Sequence, residues 1–192
     1  TNTNGEVTPP WITLLGCFDV ETGSQTIPLP NNSVATCFKE CTTSTFVGIQ
    51  TNTCICSTAY TTIAMVHHAE YRLYSKCNGQ DNAYMSLYTK VPVSSLPNTI
   101  NQNADYGYVY VNISSSSSYE FHASNDSQEK HNCICYETSK QCQFGIGNLY
   151  NWESTYAMSL CNLVSFYDFD SCLKQTPIET GQFWIGMYRE SP

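Results

Sequence analysis

Apolar residues along the chain recur with two different spacings, and each spacing predicts a different kind of element. Between residues 33 and 41 they recur at intervals of three and four, which places them on one face of a short helix: Val34, Cys37, Phe38 and Cys41. Asn32 or Ser33 can cap the amino end, because a side-chain oxygen there accepts a hydrogen bond from an unpaired backbone N–H. Both cysteines are therefore expected to point inward.

Strands are predicted where β-branched and aromatic residues dominate a short stretch or alternate with polar ones. These stretches are 46–50, 53–56, 71–75, 84–89, the sequence YGYVYVNI at 106–113 and the apolar sequence FWIGMY at 183–188. The serine run Ser114–Ser118 is predicted to be a loop tip. Together the patterns predict an α+β fold of two small disulfide-stapled modules, each an antiparallel sheet with one short helix.

Prolines and changes in composition predict the domain boundaries. Residues 1–10 read as an extended arm that ends in Pro9-Pro10, and residues 11–90 as a cysteine-rich module. Residues 91–105 contain two prolines and no helical periodicity, so we interpret them as a linker. Residues 106–192 then form a second cysteine-containing module.

Among the features of the composition, the cysteine content says most about where the protein is located. The eleven cysteines are Cys17, Cys37, Cys41, Cys54, Cys56, Cys77, Cys133, Cys135, Cys142, Cys161 and Cys172. The close pairs are C-x-C, whereas zinc knuckles use C-x-x-C with a second matching pair. We therefore assign the cysteines to a disulfide framework, which forms in an oxidising compartment and indicates an extracellular or cell-surface protein. An odd total leaves at least one cysteine unpaired within the chain.

Glycosylation signals and charge agree with that location. Asn31, Asn112 and Asn125 each begin an N-x-S triplet and are predicted N-glycosylation sites. The formal net charge is −8 with eight basic residues and no basic cluster, so neither nucleic acid nor an anionic membrane surface is an expected partner. No apolar run of about 18 residues is present, which excludes a predicted membrane-spanning helix. A mature secreted chain that begins at Thr1 would have lost its signal peptide.

The first half resembles a known extracellular family. Its motifs follow in order: Trp11-x-x-x-Leu15-Gly16-Cys17-Phe18, Cys37-x-x-x-Cys41, Phe46-Val-Gly-Ile-Gln50, Cys54-x-Cys56, Cys77-Asn-Gly79 and Met85-Ser-Leu-Tyr88. This succession resembles a WSC domain, which implies a carbohydrate-binding module. WSC domains typically carry eight cysteines, and six are present here.

Six cysteines allow fifteen pairings, and the helix beside a strand favours a nested one. The nested pairing is Cys41–Cys54, Cys37–Cys56 and Cys17–Cys77, the last of which would join the two ends of the module.

The second half resembles the front part of a C-type lectin-like domain. The residues that carry this resemblance are Trp152, Ala157 and Cys161 at helical spacing, Leu163-Val-Ser165, and the stretch Phe183-Trp184-Ile-Gly186. The later half of that family, with its calcium-binding carboxylates and closing cysteines, has no counterpart before Pro192. We therefore expect no cofactor, with calcium as the alternative. Cys161 is expected to lack its usual partner, which a truncated chain or a neighbouring molecule would explain.

Metal and hydrolase motifs give weaker signals. His67-His68, with Glu70 nearby, could bind zinc or copper, but adjacent side chains on a strand point to opposite faces and cannot easily share an ion. Asp168 and Asp170 could bind calcium, although no EF-hand loop surrounds them and a solvated turn is the preferred interpretation. No G-x-S-x-G or H-E-x-x-H motif occurs, so no enzymatic activity is expected.

Aromatic content favours carbohydrate binding. The chain has fourteen tyrosines and three tryptophans, whose rings can pack on the C–H faces of sugars. The glycan-contacting candidates are Tyr60, His67, His68, Tyr71 and Tyr84. The predicted function is an extracellular lectin-like module that binds glycans or polysaccharide. The alternative is a structural subunit of an extracellular filament or adhesive matrix, with other copies of itself as partners through strand addition or an interchain disulfide.

Overall fold

The computed structural model describes residues 8–29, 31, 33–69, 71–72, 77, 82–136, 141–145, 148–157, 161–175 and 177–191. The elements within these ranges are β1 (Trp11–Asp19), β2 (Gln25–Pro28), α1 (Val34–Glu40), β3 (Phe46–Gln50), β4 (Thr53–Ser57), α2 (Ile63–His68), β5 (Tyr71–Arg72), β6 (Tyr84–Val91), β7 (Gly107–Ser115), β8 (Ser118–Ser124), β9 (Asn132–Tyr136), β10 (Cys142–Phe144), α3 (Trp152–Ala157), β11 (Asn162–Leu163), α4 (Phe169–Gln175) and β12 (Gly181–Arg189).

Antiparallel pairing dominates the sheet, whose main path runs β10-β9-β12-β1-β6-β3-β4-β2. Off this path, β7 pairs with β12 and β8, β5 pairs with β1, and β11 pairs with β9; β12 and β9 run parallel. The first strand of the chain, β1, therefore lies between β6 and the last strand, β12. A mostly antiparallel sheet with short helices is confirmed, and the division into two modules stays a prediction.

The predicted helix at 33–41 is confirmed as α1. Ser33 is its N-cap and accepts a hydrogen bond from the backbone N–H of Thr36 at 3.1 Å. Val34, Cys37 and Phe38 are buried, as the apolar spacing predicts. The carboxylate of Glu190, which follows β12, accepts hydrogen bonds from the Ser33 hydroxyl at 2.6 Å and from the Ala35 N–H at 3.2 Å. Side chains from opposite ends of the sequence thus cap one helix.

The disulfides of the first half confirm one predicted pair and correct two. Cys17 is joined to Cys77 as predicted. The other pairs are Cys37–Cys54 and Cys41–Cys56, so the nested assignment is wrong. In the observed pairs the earlier cysteine of α1 bonds to the earlier cysteine of β4, and the later to the later. This pairing requires α1 and β4 to run in the same direction. The nested assignment assumes the opposite direction, and residue spacing alone does not distinguish the two.

In the second half, Cys135 pairs with Cys161 and Cys142 pairs with Cys172. Cys161 therefore has a partner within the chain, contrary to expectation. Cys133 is a buried free thiol, which corrects its assignment to the disulfide framework. The odd count of cysteines is accounted for by this one residue, because all eleven lie in the described ranges.

Several other expectations need correction. The described part of each half contains two short helices instead of one. His67 lies in α2 and not on a strand, because Thr62 caps a helix there by accepting from the Met65 N–H at 3.3 Å. Residues 1–7, 32, 70, 73–75 and 158–160, on which other predictions fall, lie outside the described residues.

Other predicted elements are confirmed. The strand predicted at 106–113 is β7, the apolar stretch at 183–188 lies within β12, and the serine run forms the tip between β7 and β8. The largest fully buried side chains in the described chain include Trp184, Phe18, Phe46, Phe169 and Phe183. None of the described helices has both the length and the apolar character needed to cross a membrane.

Candidate functional site

Tyr60, the first predicted glycan contact, belongs to the hydrophobic core. Its side chain is 9% exposed, and its ring centroid lies 6.2 Å from that of Phe18 and 6.3 Å from that of Phe46. Burial, with smaller contributions from Glu21 and Asp19, raises the pKa of its phenol. Little of the Tyr60 side chain is therefore open to a ligand, and its assignment as a glycan contact stays a prediction.

His67 faces the second half of the chain. Its Nε2 atom lies 2.8 Å from Oδ1 of Asp168, whose other carboxylate oxygen accepts a hydrogen bond from the Tyr136 hydroxyl. These three residues border a cavity of about 190 Å³. Asp170 also has a partner, because its Oδ1 atom accepts a hydrogen bond from the Tyr119 hydroxyl at 2.6 Å. Both carboxylates thus bond to side chains; Asp168 lies in a turn, as predicted, and Asp170 is exposed in the first turn of α4.

The remaining predicted contacts are described only in part. The side chains of His68 and Tyr71 lie outside the described residues, and Tyr84 is half-buried at the beginning of β6. Neither His67 nor Tyr84 lines a second cleft, which has a volume of about 690 Å³.

Five aromatic residues line that cleft, which we call the tyrosine cleft. Tyr106 precedes β7, and the other four form a row: Tyr88 of β6, Tyr108 of β7, Trp152 of α3 and Tyr188 of β12. The sheet register brings them together. Tyr188 lies directly opposite Tyr108 on one side and Ile12 of β1 on the other. Tyr88 pairs with Leu14 of the same β1 strand. The aromatic row therefore crosses the central strands of the sheet and takes residues from both halves of the sequence.

The rings of the tyrosine cleft contact one another in sequence. Tyr108 stacks on Trp152 with centroids 4.6 Å apart and planes inclined by 13°. Trp152 lies 5.2 Å from Tyr188, which meets Tyr88 edge-on at 6.4 Å. Tyr88 and Trp152 are buried, whereas Tyr108 and Tyr188 are half-buried and Tyr106 at the rim is 40% exposed. The cleft thus presents aromatic surface to solvent on a buried aromatic base.

Hydrogen bonds fix the central stack. The indole N–H of Trp152 donates to the backbone oxygen of Ile185 at 2.8 Å, and the Tyr108 hydroxyl donates to Oε1 of Glu153 at 2.6 Å. Burial first, then this hydrogen bond and the charge of Glu153, raise the pKa of Tyr108 well above its ordinary value. The Tyr108 phenol therefore stays protonated at neutral pH and keeps its bond to Glu153.

Arg189 borders the tyrosine cleft and holds the adjacent backbone. Its guanidinium donates to the carbonyl oxygens of Pro9, Gln102 and Asp105 at 2.8–2.9 Å. It also lies 5.5 Å above the ring of Trp11. The residue is 7% exposed, and this burial lowers its pKa. Arg189 thus fixes the chain before β1 and the loop before β7 against the wall of the cleft.

A cluster of sulfur atoms involves two cysteines of β9 and belongs to the same buried cluster as Trp152 of the aromatic row. The thiol of Cys133 is 3.2 Å from the Cys135 sulfur and 3.3 Å from the Cys161 sulfur, which are joined to each other. All three could reach one metal ion by distance, but two of them form a disulfide, so one thiol remains. Burial raises the pKa of Cys133 to about 12, which keeps its thiol protonated at neutral pH in the folded chain.

The three predicted glycosylation sites lie in different surroundings. Asn31 is exposed in the turn before α1, and Asn112 is half-buried within β7. Asn125 is exposed in the turn after β8 and lines the tyrosine cleft.

Sequence reasoning missed the tyrosine cleft, although part of it was visible. Trp152 lies in the lectin-like motif, and Tyr108 and Tyr188 lie in the two aromatic strands. The missing signal is the register that sets these three residues beside Tyr88. Comparison with protein-family models, with curated proteins and with solved structures finds no match to this chain.

Proposed function

We propose that the protein is an extracellular carbohydrate-binding, lectin-like module of a secreted or cell-surface glycoprotein, and that glycans bind in the tyrosine cleft without a cofactor. The observation that supports this most is the row of contacting aromatic rings at an open cleft. A cleft of about 690 Å³ is in the size range of small-ligand sites.

The chemistry of the cleft suits a sugar. Pyranose rings carry apolar C–H faces that pack on aromatic rings, and their hydroxyls need polar partners at the edge. Tyr108 and Tyr188 offer half-buried ring surface, while Glu153 and the exposed Tyr106 supply polar groups at the border. A carboxylate is a strong acceptor for sugar hydroxyls, because hydrogen bonds to charged groups exceed those between neutral groups.

The central stack is ordered before a ligand arrives. Trp152 is 5% exposed and bonded to the Ile185 backbone, and Tyr108 is bonded to Glu153. A preorganised ring loses little conformational entropy on binding, so more of the contact energy appears as affinity.

The extracellular part of the proposal is supported by the five disulfides and the acidic balance. The WSC resemblance and the lectin-like resemblance both point to sugars as well, and the tyrosine cleft takes side chains from the segments that carry each of them.

A glycan-array screen of the full chain, with calcium and with EDTA, tests the proposal. We expect binding that persists in EDTA and that falls about tenfold in Tyr108→Ala, since an aromatic contact contributes roughly 0.5–1.5 kcal/mol beyond its buried area. The matched control is Leu149→Ala, because Leu149 is 58% exposed and does not line the cleft. The proposal is contradicted if no glycan on the array binds, or if Tyr108→Ala binds as tightly as Leu149→Ala.

A structural subunit is the second candidate, and one observation favours it. Among the described strands, β8 pairs only with β7, so its outer edge is available for strand addition. An interchain disulfide is less well supported, because ten cysteines are paired internally and Cys133 is 1% exposed. Analytical ultracentrifugation decides between the candidates: growth into large assemblies with concentration supports the second, and a monomer at high concentration opposes it.

A further inference from the structure

The turn after β8 carries an Asn-Asp-Ser triplet at the border of the tyrosine cleft. Asn125 and Ser127 are exposed, and both line the cleft. Two local hydrogen bonds stabilise the turn. The Asp126 N–H donates to the Ser124 hydroxyl at 3.2 Å, and the Gln128 N–H donates to Oδ1 of Asp126 at 2.9 Å. An exposed turn is a suitable setting for an N-x-S acceptor, since the enzyme that attaches the glycan must reach the amide.

Neither of the other two N-x-S triplets has an asparagine that is both exposed and part of the lining of the cleft. Asn31 is exposed but does not line the cleft. Asn112 is half-buried in the middle of β7, opposite Gln182 of β12 and Glu120 of β8. Asn125 therefore stands apart as an exposed acceptor at the cleft.

Asn125 is also close to the aromatic stack. Ser124, its neighbour, lies directly opposite Tyr108 in the β7–β8 register. Gly107, which precedes Tyr108, has a φ of 100°, and a Cβ atom on it would lie 2.9 Å from the Cα of Asn125. The backbone of the acceptor thus touches the residue before Tyr108. Asn125, Tyr108 and Trp152 also line the same cleft, so a glycan on Asn125 would begin in the cleft that holds the Tyr108–Trp152 stack.

We propose that Asn125 carries an N-linked glycan whose first sugars cover the tyrosine cleft and compete there with free glycans. The competition rests on the proposed function, whereas the covering of the cleft does not. The modification uses a lipid-linked oligosaccharide pyrophosphate as donor. Its anomeric C–O bond breaks, the lipid pyrophosphate leaves with the electron pair, and the Asn125 amide nitrogen forms the C–N bond and loses one proton.

The size of the effect follows from the tether. A group on a short flexible linker has an effective concentration of about millimolar or more. Where this concentration exceeds the dissociation constant of the attached sugar about tenfold, removal of the glycan tightens binding of a free glycan about tenfold.

The test compares full-length chains secreted from a eukaryotic cell line. Ser127→Ala removes the triplet, and Ser127→Thr is the matched control because it retains the acceptor pattern at the same position. Asn125→Gln is a second way to remove the glycan. Glycopeptide mass spectrometry measures occupancy of Asn125. Hydroxyl-radical footprinting measures access to Tyr106 at the cleft rim, with Met65 and Leu149 as references because they are 46% and 58% exposed and lie outside the cleft.

We expect an occupied Asn125 in the wild type and in Ser127→Thr. In Ser127→Ala and Asn125→Gln we expect Tyr106 to be oxidised at least about twofold faster and glycan-array binding to tighten about tenfold. An unmodified Asn125, or an occupied one that leaves the Tyr106 oxidation rate unchanged, overturns the proposal. Faster Tyr106 oxidation with unchanged array binding overturns the competition. If Tyr106 is oxidised faster in the unglycosylated variants but neither they nor the wild type bind any glycan on the array, the result supports a glycan on Asn125 that covers the cleft. It then overturns the proposed function instead.

Discussion

At the scale of single residues, two tyrosine–carboxylate hydrogen bonds fix helices to the sheet. Tyr108 donates to Glu153 of α3, and Tyr119 of β8 donates to Asp170 of α4. Neither bond was predictable from sequence, because 45 and 51 residues separate the partners. An N-cap at Asn32 or Ser33, by contrast, was predicted from sequence, and the structure shows Ser33, whose acceptor oxygen lies three residues from the donor N–H.

The Tyr119 bond predicts a pH dependence. The hydrogen bond to Asp170, with burial and the carboxylate charge, raises the pKa of Tyr119 from 10.0 to about 12. The protonated phenol is the bonded form, so its contribution to stability is complete below pH 10 and is lost as the pH rises through about 12. We expect Asp170→Asn to lower this pKa toward 10, measured by ¹³C NMR titration of labelled tyrosines. Equal titration of Tyr119 in the variant and the wild type would contradict the assignment.

At the scale of elements, β9 presents two cysteines on one face to the segment that begins β11. The Sγ atom of Cys133 lies 3.3 Å from that of Cys161, a non-bonded contact that leaves Cys133 as the nearest free thiol to Cys161. We therefore expect Cys133 to replace Cys135 as the partner of Cys161 in Cys135→Ser, with little change in the free energy of unfolding. Cys161→Ser has no such replacement and should lose about 2–4 kcal/mol.

Peptide mapping of disulfides and urea unfolding check this exchange of partners. Cys133→Ser is the control, because it leaves the Cys135–Cys161 bridge unchanged. If Cys135→Ser is destabilised as much as Cys161→Ser, then Cys133 does not form a disulfide with Cys161 despite the proximity of their sulfur atoms. The sequence indicated one unpaired cysteine but not which one, since pairing depends on how β9, β10 and the helices pack in space.

At the scale of the whole molecule, Glu190 connects the end of the chain to its first helix. Its carboxylate accepts from the Ser33 hydroxyl and the Ala35 N–H, 157 and 155 residues earlier. We expect Glu190→Ala to lower the free energy of unfolding by about 1 kcal/mol, as is typical for a lost N-terminal cap. Chemical denaturation measures this value, with exposed Glu179→Ala as the control. Equal stability of the two variants would show that the Ser33 side chain alone caps α1.

Local patterns predicted most elements but not the tyrosine cleft. Periodicity located α1, β3 and β7, since each depends on residues within one stretch. The cleft depends instead on β1 lying between β6 and β12, which sets Tyr88 near Tyr188. Such long-range register is specified by packing over the whole sheet and has no short sequence signature.

The position of β1 also determines the order in which the sheet can be completed during synthesis. β1 leaves the ribosome long before β12, so the β12-facing edge of β1 lacks its partner until residue 181 and beyond have emerged. Contacts so distant in sequence form slowly, and unpaired strand edges promote aggregation. Until β12 has emerged, the growing chain therefore exposes an unpaired strand edge at the centre of the sheet, and removal of β12 would leave that edge open.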